Sequence, residues 1–142
     1  MVKYNCYIKG YALPHFKVGS SVYVVERNGL VISSKSKLYS CPDNIDPLKF
    51  HFYCELLAAR EALKECHEGS IVNIYTSEVI ITNWLTNRCK KAEYKEWIDV
   101  IKCLFRNHES VDVYYYKNGG DLSMFDTVIQ LAHETAKLYK PE

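Results

Sequence analysis

Between Leu48 and Cys66 the apolar residues Phe52, Leu56, Leu57, Ala59 and Leu63 recur at helical spacing, and Gly69 lies just past the end. This helix constrains the fold more than any other feature because of what flanks it. Before it come three strand-like segments rich in Tyr, Val and Ile: Lys3 to Tyr11, Ser21 to Arg27 and Leu30 to Lys37. Asn28-Gly29 joins the second to the third, and both residues tolerate positive φ, so the pair reads as a hairpin. After the helix comes a buried-looking strand, Ile71 to Thr76, which must rejoin the sheet by a crossover.

Two prolines and three Asp/Asn residues mark a loop between Tyr39 and Leu48. Ser77 is placed to cap a short helix, Glu78 to Leu85, with Glu78 favourably set in its first turn. A longer helix is expected from Ala92 to Asn107, its core arc formed by Trp97, Ile98, Ile101, Leu104 and Phe105. Val111 to Tyr116 reads as a fifth strand, Asn118-Gly119-Gly120-Asp121 as a turn and Leu122 to Tyr139 as a last helix. The order βββ-α-β-α-α-β-α describes an α/β chain. Three antiparallel strands are extended by two crossovers into a five-stranded mixed sheet with helices on both faces. With 142 residues, 48% of them hydrophobic, and no repeat or linker, the expectation is a single domain over 1–142.

Eighteen basic and seventeen acidic residues leave a net charge of +1, so any affinity for nucleic acid has to come from a local patch. No apolar stretch is long enough to span a bilayer, so no membrane partner is expected, and the first residues lack signal-peptide order. Cys6, Cys41, Cys54, Cys66, Cys89 and Cys103 form no CxxC pair, which argues against structural zinc and for core thiols in a reduced, cytoplasmic compartment. His15, His51, His67, His108 and His133 are too scattered to suggest a metal cluster.

Five short pieces, in order, carry a resemblance. They are Tyr7-Ile8-Lys9-Gly10, the Asn28-Gly29 hairpin, the run from Glu55 to Leu63, Ile74-Tyr75-Thr76-Ser77, and Asp126 followed by Leu131-Ala132. From Tyr7 to about Ala136 the chain resembles a type 1 ribonuclease H domain. The resemblance implies the ribonuclease H-like fold and a site in which a helix glutamate and three aspartates hold two Mg²⁺ ions. Such ions, about 4 Å apart, clamp the attacking water and leaving oxygen of a phosphodiester and need hard oxygen ligands. Glu55 and Asp126 match two of the four positions, while Lys9 and Ser77 stand where the family has aspartate.

A protonated lysine offers donors and no acceptor, and a serine only a neutral hydroxyl. Losing two negative charges and gaining one positive shifts the pocket by about three units, against two-metal binding. The expectation is therefore that the Lys9 ammonium takes the metal's place and pairs with Glu55 and Asp126. A one-residue slip in the strand would instead turn Lys9 to solvent. Other family features are replaced: Phe50-His51-Phe52-Tyr53-Cys54 precedes the glutamate where Thr and Asn are usual, and the loop 117–121 lacks the mobile His.

Three functions follow from the resemblance. The first is a catalytically degenerate ribonuclease H-like binding or scaffold module with no cofactor, for RNA–DNA hybrid, other nucleic acid or a protein partner. The second is an active endonuclease, dependent on Mg²⁺ or Mn²⁺, cleaving the RNA strand of hybrids through Glu55, Asp126 and Glu78 or Asp121. The third is a structural, self-associating subunit, and a monomer and a homodimer both fit the sequence. Nucleic acid would meet Gly10, Lys90, Lys91, Lys95, Lys102 and Arg106, with Arg88 nearby, although Asp99 interrupts the helix face and an ordinary solvated face is the favoured explanation. Tyr114-Tyr115-Tyr116 could stack bases or pack, half-buried, in their strand.

Overall fold

The computed structural model describes residues 2–86, 92–116 and 123–137. Five strands form one sheet: β1 Lys3–Leu13, β2 Val18–Arg27, β3 Leu30–Ser40, β4 Ile71–Thr76 and β5 Ser110–Tyr115. Four helices accompany them: α1 Phe50–Glu65, α2 Val79–Thr86, α3 Ala92–Phe105 and α4 Ser123–Lys137. The sheet order is β3-β2-β1-β4-β5, with β1, β2 and β3 antiparallel and β4 and β5 added parallel to β1.

The first three strands are longer than their sequence patterns. β1 and β2 stay paired out to Leu13 and Val18, around a tight 3-10 turn in which Lys17 takes a left-handed φ of 52°. The Asn28-Gly29 turn has positive φ at both residues, as its sequence expects. Helix α1 begins at Phe50 rather than Leu48. Asp46 accepts from the Leu48 amide at 3.0 Å and Pro47 starts a 3-10 turn, so the α-helix begins two residues later.

Alternation along β1 sends Tyr4, Cys6 and Ile8 to the α1 side and Tyr7 to the α4 side. Helix α1 is buried on much of its circumference, and Ala58, Ala59 and Ala62 let it lie close to the sheet. Outside it, α3 buries Tyr94, Ile98 and Ile101 at helical spacing, with Trp84 of α2 stacked on Tyr94 at 4.3 Å. The opposite layer is thinner: Val128 and Ala132 of α4 cover Tyr7, Val22 and Val24. Cys6, Cys41, Cys54 and Cys66 are buried free thiols, whereas Cys103 is exposed. Among the described residues no helix is long and apolar enough to cross a membrane.

Candidate functional site

Gly10 lies where β1 runs against α1. A Cβ there would come 2.3 Å from both the Glu55 amide nitrogen and the His51 carbonyl oxygen, so only glycine permits this approach. The Gly10 amide donates to Glu55 Oε1 at 3.0 Å, and the Thr76 hydroxyl, at the end of β4, donates to Glu55 Oε2. Both oxygens of a fully buried carboxyl group are thereby engaged from within the fold. Burial pushes the Glu55 pKa up to about 7, against the opposing pull of the Lys9 charge and of the two hydrogen bonds.

Lys9 takes the other direction. The parallel register pairs Ile8 with Thr76, which brings the next residues of the two strands, Lys9 and Ser77, side by side. Lys9 Nζ donates to Ser77 Oγ at 2.9 Å and lies 3.7 Å from Glu78 Oε1, with 14% of its side chain exposed. Nearby His51 is half-buried, and its pKa is lowered by desolvation first, with the Lys9 charge adding to this and Glu78 opposing it.

No protein-family model matches this chain, and no curated protein does. Among solved structures it is similar to the N-terminal RNase H domain of Rv2228c from Mycobacterium tuberculosis, determined as a fusion with maltose-binding protein. The TM-score is 0.74 at 9% identity, over 97% of this chain and 96% of that one. The fold is ribonuclease H-like.

Within this ribonuclease H-like fold, Lys9 and Ser77, which stand where the resemblance expects aspartates, do come together. The expected partners of Lys9 need correction. Its ion pair is to Glu78, and among the described residues no hydrogen bond or ion pair joins it to Glu55 or Asp126. Glu55 is sealed between α1 and the sheet with both oxygens occupied, and Asp126 is exposed on the first turn of α4. Neither does Lys9 point freely to solvent. Ser77 also differs from its expected role as helix cap. Its hydroxyl accepts from Lys9, and the Glu78 amide donates instead to Thr76 Oγ1 at 3.2 Å. Gly10 is buried with its amide on Glu55, so it is not free to meet nucleic acid.

Thr76 and His51 are the site residues the sequence reading passed over. The only signal for Thr76 was its position at the end of an apolar strand and directly before Ser77. His51 had a signal in its spacing, four residues before Glu55 and so on the same helix face, within the segment where the resemblance expects other residues.

These residues do not fit a pair of divalent ions. Lys9 supplies only donors, Ser77 is neutral, Glu78 faces the ammonium, and Glu55 already accepts two hydrogen bonds. Among the described residues no three of His, Cys, Asp and Glu converge as metal ligands. Asp121, the other replacement ligand considered, lies outside the described residues, as do Arg88, Lys90 and Lys91. Lys95 and Arg106 are exposed and Lys102 is partly buried; Arg106 lies past the end of α3. Lys95 shares a shallow groove with Glu96 and Asp99, so its charge is offset locally. Tyr75 stacks between Tyr7 at 5.2 Å and Tyr114 at 5.4 Å, so Tyr114 packs on one side and is exposed on the rest.

Proposed function

We propose that this ribonuclease H-like chain is a binding module without nuclease chemistry, serving nucleic acid or a nucleic-acid-associated protein. The carrying observation is the Lys9 ammonium, 2.9 Å from Ser77 Oγ and 3.7 Å from Glu78. A tethered monovalent cation there neutralises the nearest carboxylate and repels a divalent ion. The buried Glu55, held near neutral acidity by desolvation, is a structural hydrogen-bond acceptor in this reading. What remains for a partner is the outer surface, where exposed Arg106 can meet phosphates.

Calorimetric titration with Mg²⁺ and Mn²⁺ tests this directly. The wild-type chain is expected to give no saturable heat, and Lys9→Asp/Ser77→Asp a weak, saturable signal as oxygen ligands return. An RNA–DNA hybrid should bind without being cleaved, with affinity falling as salt rises. Specific metal binding by the wild type together with hybrid cleavage would replace this reading with the endonuclease. A concentration-dependent mass with no affinity for nucleic acid would replace it with self-association.

A further inference from the structure

β3 pairs with β2 on one side and, among the described residues, has no strand on the other. No residue along it is buried: Ser33 and Tyr39 are half-buried and the others are exposed. Such an edge is a row of unpaired peptide donors and acceptors, and edges of this kind recruit another strand unless something blunts them; here lysines and a bulge at Ile32, where the register with β2 shifts, restrict which strand can add. Its composition is divided. Leu30, Val31 and Ile32 are 70%, 47% and 50% exposed, whereas Lys35 and Lys37 follow in the second half and β3 contains no acid.

The helix layer leaves this strand overhanging. α1 sits tightly on β2, where the Ser21 hydroxyl donates to the Cys54 carbonyl at 2.6 Å and Gly19 abuts Phe50 and Cys54. Between β3 and the second half of α1 a groove of about 640 Å³ remains, with Tyr23 and Tyr39 in its lining and Arg60, Glu61 and Glu65 on the helix side, where Arg60 pairs with Glu61 at 2.9 Å. Lys35 spans part of it to reach Glu65 at 3.2 Å and keeps 63% of its side chain exposed. Lys37 lies over the Tyr39 ring, 5.0 Å from its centroid.

We propose that this edge accepts an extended segment of a partner protein as a sixth, antiparallel strand, with carboxylates opposite Lys35 and Lys37 and apolar side chains opposite Leu30 and Ile32. Charge complementarity selects the occupant. Self-pairing centred on Ser36 would set Lys35 against Lys37 of a second copy, and like charges directly opposite disfavour it. A DNA backbone offers no donors to the free carbonyls and an RNA backbone only its 2′-hydroxyls, and neither has anything to cover the apolar half. An acidic-then-apolar strand answers the donors, acceptors, charge and apolar surface together, by strand addition to a free edge. An antiparallel addition continues the β1-β2-β3 pattern. This surface is separate from the Lys9 cluster and does not rest on the nucleic-acid reading.

The probe is a synthetic peptide of about ten residues, a usable strand length, alternating Glu and Thr in its first half and Val and Thr in its second. Saturable binding is expected, with slowed amide exchange at alternate β3 residues and about tenfold weaker binding by Lys35→Glu/Lys37→Glu. Replacing the peptide's Glu by Lys should restore binding to that variant. The variant changes exposed side chains, and an unchanged circular dichroism spectrum will verify its fold. The proposal fails if the peptide binds no better than a scrambled version, or if protection falls outside β3. It also fails if β3 becomes protected merely on raising the protein concentration, which identifies a second copy as the occupant.

Discussion

Glu55 and Lys9 are close enough that the lysine's charge holds down the glutamate's pKa, yet their surroundings are opposed. Glu55, on α1, is locked against β1 and the end of β4, with a backbone amide and a hydroxyl filling its oxygens. Lys9 lies at the margin, held by one hydroxyl and a longer ion pair. The lesson is that two charges at one site can do different work: the sealed one organises the fold, and the marginal one sets what the surface attracts or repels.

That contrast predicts a descending series of effects. Gly10→Ala should be the most damaging change, costing more than about 3 kcal/mol, because the new methyl meets the α1 backbone at His51 and Glu55 and the helix has to move. Chemical denaturation will measure it, and a cost below about 1 kcal/mol would mean that the strand and helix are not in intimate contact.

The next effect concerns pH. The folded-state pKa of Glu55, about 7, lies above the ordinary 4.5, so the folded chain retains a proton that the unfolded chain has released between those values. Its stabilising contribution is full below pH 4.5, declines as pH rises and is gone above pH 7, a change of about 3 kcal/mol. Glu55→Gln, neutral throughout, should flatten that decline. Parallel stability profiles for wild type and variant across this window would refute a protonated buried carboxyl.

The smallest effect belongs to Lys9→Ala, expected to change stability by about 1 kcal/mol or less, since the ion pair is partly exposed and 3.7 Å long. A loss as large as that of Gly10→Ala would erase the distinction between the two groups.

Much of the scaffold is legible in local pattern. β4 occupies Ile71–Thr76 as its sequence reads, and the Asn28-Gly29 hairpin and the Glu55 helix are in place, because periodicity and turn residues act over a few positions. Where long-range pairing decides, the reading falls short. β3 continues to Ser40 because β2 is there to pair with it, although nothing after Lys37 announces a strand. Ser77 reads as a helix cap, yet its hydroxyl goes to a lysine 68 positions away.

The amino-acid order alone determined the succession of strands and helices and the exchange of two expected carboxylates for an amine and a hydroxyl. Tertiary structure alone decided that the amine faces Ser77 and Glu78 rather than Glu55 and Asp126, and that Glu55 is sealed beneath Thr76 and Gly10. Local propensity acts through neighbouring peptide units, whereas the partner and the desolvation of a charge depend on which distant segments the packed sheet brings beside it.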